Sequence, residues 1–270
     1  MSTPTVALGR GPRGMIGLWH AIAVPLLLII VWQIWASGLG PGARAPSPTN
    51  VVIAFGQLVA SGDLPTALVQ SLGRVVTGFV FASVIGITLG VAMGSSPWLR
   101  DNLDPVIESF RPIAPIAVLP IAILWFGTGT PAAVAIVTYA AFFPLLVNTV
   151  HAVSRVDRKL VQAARTMGIA RARILRHVLL PAALPGVLLG ARLAMGVAWT
   201  AIIAAELAVG AKSGGGTSGG IGQMMFIFYS YSIDLNGIVV CMIVVGVVAL
   251  LIDRLFRLGE ARLMPWRASQ

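Results

Sequence analysis

Residues that commonly carry catalysis or hold metals are few in this sequence, and they are scattered along it. The three histidines, His20, His151 and His177, have neither metal-ligand spacing nor a nucleophile close by in the chain. The single cysteine, Cys241, lies inside a hydrophobic run, so the chain cannot build a disulfide framework or a thiolate metal site. We therefore expect no catalytic residue, no metal site and no cofactor in this chain.

Two glycine- or lysine-containing patterns resemble nucleotide sites only in part. Gly214-x-Gly216-x-x-Gly219 fits a dinucleotide fingerprint by spacing, but it follows a hydrophobic run rather than a strand. Ala211-Lys212-Ser213 lacks the glycines of a phosphate loop. We expect no nucleotide site in this chain.

Ionisable residues inside apolar stretches are the strongest candidates for function, because charge is costly in a membrane. Glu108 and Arg111 are three residues apart and are expected to pair on one helical face. Arg74 and Glu206 lie near the outer ends of their stretches, where an ion pair or a gate contact is possible. An anionic solute would favour Arg74 or Arg192.

Aromatic and amide side chains extend this set. Aromatic residues in a helical bundle more often pack than close a pathway, although a hydrophobic constriction can seal one, and both interpretations stay open here. The candidates for the pathway or its gate are Arg74, Trp125, Phe126, Phe143, Asn148, Arg192, Trp199 and Glu206.

The composition indicates a polytopic membrane protein. Hydrophobic residues make up 57% of the 270 residues and charged residues only 10%, far below the roughly 25% charge of a soluble domain. A net charge of +10 could indicate nucleic-acid binding, but the basic residues are confined to segments between apolar runs, as bilayer topology demands. We expect membrane lipid around the chain and no nucleic acid as a partner.

The apolar runs predict an all-α bundle of six transmembrane helices, because a spanning helix needs about 20 mainly apolar residues. The expected spans are 16–36, 72–94, 104–125, 132–153, 186–208 and 236–253. With the N-terminus inside, fourteen of the nineteen Lys and Arg residues fall on the inner side. This excess places both termini and the central loop in the cytoplasm of a multi-pass protein of the inner (plasma) membrane.

The predicted organisation has five parts. A cytoplasmic tail (1–15) precedes a first transmembrane helix (16–36) that is too long for an ordinary signal peptide. The periplasmic segment 37–70 contains an apolar patch at 51–60 that is too short to cross. A core transmembrane region (71–253), which contains the central loop 154–187, and a cytoplasmic tail (254–270) complete the chain.

Two of the expected spans have unusual patterns. Span two repeats small residues four apart on one face, which permits close approach of another backbone; they are Gly78, Ala82, Gly86, Gly90 and Gly94. Span three contains prolines at 105, 112, 115 and 120. Each interior proline removes a backbone hydrogen bond, and such backbone is tolerated only against protein or a water-lined cavity. We expect span three to border a pathway.

The central loop, 154–187, holds seven basic residues and reads as two short helices. Asp157 can cap the first helix and Gly168 supplies the turn. The second helix is expected over Ile169 to His177, before Pro181. Ala164, Met167 and Ile174 could form an apolar contact face, although a simple basic inside loop would show the same charge.

The spacing in this loop resembles a known signature. Gln162-Ala163-Ala164, three residues, Gly168, nine residues and Val178-x-Leu180-Pro181 are similar to the EAA motif of permease subunits of bacterial ABC importers with the type I fold. Gln162 replaces the usual glutamate and Val178 the usual isoleucine. The resemblance implies an ATPase-coupling helix that uses Gln162, Ala163, Ala164, Met167, Gly168, Ile169, Ala170 and Arg171.

Further short motifs over 46–267 look like the nitrate, sulfonate, taurine and bicarbonate branch of that family; they include Arg111-Pro112, Leu124-Trp125-Phe126-Gly127, Phe142-Phe143-Pro144, Ala204-Ala205-Glu206 and Pro265-Trp266-Arg267. The resemblance implies a non-catalytic permease that imports a small anion or sulfonate-like solute as a homodimer. It also implies two ATP-binding subunits, which would hold the ATP and Mg²⁺, and an extracytoplasmic solute-binding protein. The alternative is a secondary transporter or channel driven by an ion gradient, which would need coupling-ion carboxylates and commonly shows repeated halves.

Overall fold

The chain folds as the helical bundle that its composition predicted. The computed structural model describes residues 16–38, 45–210 and 219–264, and within these ranges it contains helices and no strands. The helices are α1 (Ile16–Gly38), α2 (Pro48–Ala60), α3 (Asp63–Ser95), α4 (Pro97–Phe110), α5 (Pro115–Phe126), α6 (Thr130–Ser154), α7 (Arg158–Thr166), α8 (Arg171–Ile174), α9 (Leu180–Gly210), α10 (Ile221–Ile227) and α11 (Leu235–Leu263). Two π-helical turns, Leu175–Leu179 and Phe228–Ser232, precede α9 and α11.

The small-residue stripe of α3 packs directly on α6. A Cβ placed on Gly78 would lie 2.6 Å from Val137 Cγ1, and one on Gly90 would lie 2.7 Å from Thr149 Cβ. The two helices therefore approach almost to backbone contact, as the spacing of the glycines predicted. The partner numbers rise together along both helices, from Val137 at Gly78 to Val153 at Gly94, so α3 and α6 run parallel.

Because α3 and α6 are parallel, the segment between them, α4 and α5, has to cross the membrane. Both α3 and α6 are long and apolar enough to span a membrane, whereas α4 and α5 are two short helices bent by 93° at residues 111–114. Two parallel spans require the intervening chain to return to the opposite face. The bent pair α4–α5 is therefore one broken crossing and not a re-entrant loop.

The helices α6, α9 and α11 alternate in direction. Gly186 of α9 faces Ala152 of α6, and Gly190 faces Asn148, so the partner numbers run in opposite senses. Trp199 donates its indole N–H to the Val245 carbonyl of α11 at 3.1 Å, and Arg192 reaches Asp253 further along α11. The end of α3, the end of α6, the start of α9 and the end of α11 thus lie at one face of the bundle.

The number of spans is supported only in part. Four described helices qualify as spans, and the broken crossing makes five. The sixth, α1, has the length to cross, and its described apolar part covers Ala23–Gly38. The bounds also differ from expectation, since α3 begins at Asp63 rather than near residue 72, and the patch at 51–60 forms the helix α2 that packs on α11 through Val51 and Val240.

The central loop differs from the predicted pair of short helices at its second half. The helix that follows Gly168 does not stop before Pro181 but continues through the π turn into α9. The Leu180 N–H bonds to the Leu175 carbonyl five residues back, which widens the helix just before Pro181. Because proline lacks an N–H and its ring crowds the preceding turn, a widened turn lets the helix continue without a break.

Candidate functional site

The first helix of the central loop, α7, is closed at both ends by the residues that the sequence singled out. The Asp157 carboxylate accepts from the Lys159 N–H at 2.9 Å. At the other end the Gly168 N–H bonds to the Arg165 carbonyl at 3.0 Å and the Ile169 N–H to the Ala164 carbonyl at 3.2 Å. With Gly168 at φ +72°, this is a Schellman cap, which needs a left-handed residue. Gly168 therefore fixes where α7 ends and which way the chain leaves it.

The side chains of α7 divide into an inner and an outer set. Ala164 and Ile174 are 2% and 3% exposed and pack inside the chain, so the prediction that they belong to an outward contact face is wrong. Leu160 and Met167 are 51% and 70% exposed, and Gln162 and Ala163 are also exposed. Leu160, Ala163 and Met167 are three and four residues apart and lie near one face. Ala164 is four residues after Leu160, so its burial reflects what packs against it rather than the helix period.

The rest of the predicted coupling set surrounds that face. Gly168 and Ala170 are exposed and Ile169 is half-buried, while the side chain of Arg171 lies outside the described residues. Lys159, Arg165 and Arg173 are exposed. Among the described residues none of these three cations has a carboxylate within 4 Å. The loop thus presents a small apolar face, centred on Leu160 and Met167, inside a basic surround.

A second polar cluster is buried between α3, α9 and α10. Glu206 has a side-chain exposure of 1% and forms an ion pair with Arg74, Oε1 to Nη1, at 2.8 Å, so the ion pair envisaged from the sequence is present. The Ser71 hydroxyl donates to Glu206 Oε2 at 2.7 Å, and the Gly222 N–H donates to the same oxygen at 3.1 Å. The Ile221 N–H in turn donates to Ser71 Oγ at 2.9 Å. One carboxylate therefore fastens the start of α10 to α3 and α9.

The glycines at the start of α10 are required by this cluster. A Cβ on Gly220 would collide with the Glu206 carboxylate and the Ser71 hydroxyl, and one on Gly222 would lie 2.5 Å from the Ile203 carbonyl. Arg74 also donates from Nε to Thr130 Oγ1 at 3.2 Å, which adds the start of α6 to the cluster. Arg74 and Glu206 are thus occupied with one another rather than presented to a solute.

Arg192 also has a carboxylate partner, which the sequence did not reveal. Its Nε lies 2.6 Å from Asp253 Oδ1, and Arg257 Nε lies 2.8 Å from Asp253 Oδ2. Asp253 sits 61 residues further along the chain, and no local pattern indicates that pairing. Arg192 and Asp253 border a groove of about 630 Å³ along α9.

A second groove, of about 350 Å³, opens at the break between α4 and α5. Its walls are Arg111, Ile113 and Pro115 at the break, residues of α6 that include Tyr139, Phe143 and Asn148, and Leu193 and Val197 of α9. We call this the break groove. Leu193 and Val197 also line the groove beside Arg192, so the two grooves meet along α9.

The remaining candidates fall into two groups. Trp199 is 2% exposed and packs in the main core with Val245 as its hydrogen-bond partner, whereas Trp125 and Phe126 are 75% and 53% exposed on α5. Phe143 stacks edge-on with Tyr139 at 5.1 Å in the break groove. Asn148 donates to the Pro144 carbonyl at 2.8 Å. The structure brings together Phe143, Asn148 and Arg111, and it separates them from Trp199 and from the Arg74–Glu206 pair.

The expected pairing of Glu108 with Arg111 is absent. Both side chains are exposed, and across the described part of the chain the ion pairs are those of Arg74, Arg100, Arg192 and Arg257. Arg111 caps the end of α4, and its N–H still bonds to the Ile107 carbonyl. The helical backbone would allow the pair, but an exposed pair of this spacing contributes too little to fix two long side chains together. The described residues also contain no group of three or more His, Cys, Asp or Glu side chains that could hold a metal ion.

Residues 82–265 match the family model described as the binding-protein-dependent transport system inner membrane component. A putative aliphatic sulfonates transport permease protein of Bacillus subtilis is 34% identical over 259 residues, covering 95% of this chain and 91% of the relative. The nitrate import permease protein of a Synechocystis species is 33% identical, and the match covers 91% of this chain and 88% of that protein. The taurine transport system permease protein of Escherichia coli is 33% identical, with coverages of 90% and 88%.

Solved structures agree with these relatives on the fold. A chain from the inward-facing MetNI methionine ABC transporter superimposes with a TM-score of 0.63 at 21% identity, covering 74% of this chain and 96% of that chain. At that identity the likeness supports the fold alone. From the family match and the relatives together, this chain belongs to the family of inner membrane components of binding-protein-dependent transport systems, the permeases of ABC importers.

Proposed function

We propose that this chain is the permease subunit of an ABC importer for a small anion or sulfonate-like solute, and that two copies form the pathway. The observation that carries the proposal is the exposed face of α7, an apolar patch in a basic surround that ends in a Gly168 cap. Such a face fits a groove on a separate ATP-binding subunit. This chain would bind neither ATP nor Mg²⁺ itself.

The proposed cycle uses α7 as its moving contact. ATP binding would close the two ATP-binding subunits, draw the two α7 helices together and turn the pathway outward; hydrolysis would reset it. A movement of α7 would be transmitted to the bundle because the chain after Gly168 runs as one helix through the π turn into α9. The coupling thus needs a firm connection from α7 to the bundle and a bundle with two states; the continuous helix from Arg171 into α9 supports the first requirement.

The solute class rests on the relatives and on the charge of the grooves. The relatives named above are permeases for aliphatic sulfonates, nitrate and taurine, and bicarbonate permeases of Synechococcus are similar as well. Arg111 and Arg192 border the two grooves along α9. An extracytoplasmic binding protein would deliver the solute to the face opposite α7.

Docking through α7 is tested by copurification of a tagged chain with its ATP-binding subunit. Leu160→Asp and Met167→Asp each place an unpaired charge in the apolar face, and we expect either to remove most of the ATP-binding subunit while leaving membrane insertion unchanged. Gln162→Glu is the matched control on the same helix, because it restores the carboxylate that is usual in the EAA motif and should leave docking intact. A stable complex with both Asp variants would contradict the docking face.

Transport itself is tested by reconstitution with the ATP-binding subunit and the binding protein. Nitrate, bicarbonate, taurine and alkanesulfonates are screened for stimulation of ATP hydrolysis and for ATP-dependent uptake. We expect one of these solutes to stimulate both. Uptake that needs no nucleotide would instead support a secondary transporter.

A further inference from the structure

The break groove is lined by a cation, Arg111, that has no carboxylate partner among the described residues. Arg111 lies in the turn between α4 and α5, its side chain is exposed, and it forms part of the groove wall. Within the described residues no carboxylate lies within 4 Å of its guanidinium. The other two arginines that border the proposed pathway or its outer end, Arg74 and Arg192, are both paired with carboxylates.

The position of Arg111 along the membrane normal follows from Tyr139. The Tyr139 hydroxyl lies 3.0 Å from the Phe110 carbonyl and 3.3 Å from the Ile113 carbonyl, one on each side of Arg111. Tyr139 sits within one turn of the middle of α6, a helix of 25 residues that extends for about 37 Å at 1.5 Å per residue. Arg111 is therefore held close to mid-depth of a spanning helix.

An unpaired arginine at that depth needs compensation. Placing it in hydrocarbon costs about 3 kcal/mol or more, and the open backbone of residues 111–114 is tolerated only against protein or water. The Tyr139 hydroxyl contacts backbone carbonyls and so contributes no negative charge. A water-filled groove would supply hydrogen-bond partners to the open backbone, and an anion passing through it would supply the counter-charge to the guanidinium.

We propose that Arg111 is the solute-contacting residue that makes this pathway selective for oxyanions, with Tyr139 as the positioning residue that holds it in the groove. A planar guanidinium donates two parallel hydrogen bonds to adjacent oxygens of one anion, a geometry that nitrate, bicarbonate and sulfonates share. The groove carries one net positive charge, which favours singly charged anions over neutral solutes. This proposal rests on the proposed transport function and adds the residue that selects the charge.

The experiment measures the electrostatic potential in the groove through a reporter thiol. Leu193, at 50% exposure, lies where the two grooves meet. The reporter is Leu193→Cys in a full chain that also carries Cys241→Ala, reconstituted in vesicles of zwitterionic lipid. The rates of modification by an anionic and a cationic methanethiosulfonate reagent are compared.

We expect the anionic reagent to react faster, and Arg111→Gln to lower the ratio of anionic to cationic rates by about fivefold or more, as a unit charge a few ångströms away in a partly aqueous groove implies. Arg111→Lys should keep most of the ratio. The control reporter, Val52→Cys on α2, is 70% exposed and should not respond to Arg111. An unchanged ratio in Arg111→Gln, or a Leu193→Cys thiol that neither reagent reaches, overturns the proposal.

A second arm separates a soluble oxyanion from a lipid headgroup. Added nitrate or methanesulfonate should slow modification of the Leu193→Cys reporter in zwitterionic vesicles and have no effect in Arg111→Gln. Protection that appears only when anionic phosphatidylglycerol is added to the vesicles would assign Arg111 to a headgroup and overturn the proposal. Absence of ATP-dependent uptake would overturn the transport function but not this measurement, so the two failures are distinguishable.

Discussion

At Glu206 a single carboxylate accepts hydrogen bonds from Arg74, Ser71 and Gly222 while remaining almost completely buried. Burial of a charge is costly, and removal of one member of a buried pair leaves the other uncompensated. Removal of either Glu206 or Arg74 alone should therefore destabilise the cluster. Arg192 and Asp253 form a more exposed version of the same arrangement.

Glu206→Gln and Arg74→Gln should each destabilise the protein, by about 3–5 kcal/mol if the remaining charge stays buried. The double variant should lose less stability than the two single variants lose together, because it leaves no uncompensated charge. The apparent melting temperature in detergent is the measurement. Arg100→Gln, which breaks the exposed Arg100–Asp104 pair, serves as control and should cost less than about 1 kcal/mol. Single variants that melt like the wild-type chain would show that the pair is dispensable.

At the scale of elements, the contact of α3 with α6 and the cap of α7 both depend on glycine, for different reasons. Gly90 is needed for space, because a Cβ there would lie 3.1 Å from the Leu146 carbonyl as well as against Thr149. Gly168 has open space around it but a φ of +72°. One position is therefore sensitive to size and the other to backbone conformation.

Gly90→Ala should lower stability by about 1–3 kcal/mol, because the added methyl overpacks the α3–α6 contact. Gly73 lies on the same helix and has nothing within 4 Å of an added Cβ. Gly73→Ala is therefore the matched control and should be neutral or slightly stabilising, since alanine favours the helix over glycine. Equal melting temperatures for the two variants would contradict the close approach of the helices.

Gly168→Val should uncouple the loop without preventing insertion, because a β-branched residue strongly disfavours positive φ. Gly168→Asn is the matched control, since asparagine tolerates the left-handed region. We expect ATP-dependent uptake to fall severalfold in the valine variant and to be largely retained in the asparagine variant. Uptake that is unchanged by valine would remove Gly168 from the coupling role.

At the scale of the whole molecule, the direction of each helix fixes the topology. Because α3 and α6 run parallel, the broken pair α4–α5 has to cross between them, and the tyrosine that clamps the break lies in the middle of α6. The same directions put α7 and the end of α11 at one face. Because basic residues surround α7, we expect that face to be the cytoplasmic one.

This topology predicts opposite labelling at the two ends of the broken pair. Asp101→Cys lies before the break and Thr128→Cys after it, and both side chains are exposed. In right-side-out vesicles of the Cys241→Ala chain, an impermeant maleimide should label Thr128→Cys directly and Asp101→Cys only after permeabilisation. Labelling of both from the same side would show a re-entrant loop.

Much of the site was predictable because it is encoded locally. Gly168 lies in a left-handed cap, Asp157 in an N-cap and the glycines of α3 at a close contact, and each of these follows from spacing along one helix. The prolines of span three indicated missing backbone hydrogen bonds, but they did not predict that the expected helix 104–125 is two helices bent by 93°. The inward side of Ala164 was not predictable, since a helix face is chosen by what it packs against rather than by its own sequence.

The sequence by itself determined that this is a helical membrane protein with a basic central loop that carries an EAA-like spacing, because hydrophobic length, charge distribution and motif spacing are properties of the chain order. Only the tertiary structure decided that α3 and α6 are parallel and that Arg192 pairs with Asp253 across 61 residues. It also decided that Arg111 lies beside Tyr139 with no carboxylate partner in the described part of the chain. These facts depend on which helices become neighbours. That choice is made by the packing of whole faces in three dimensions, which no local pattern specifies.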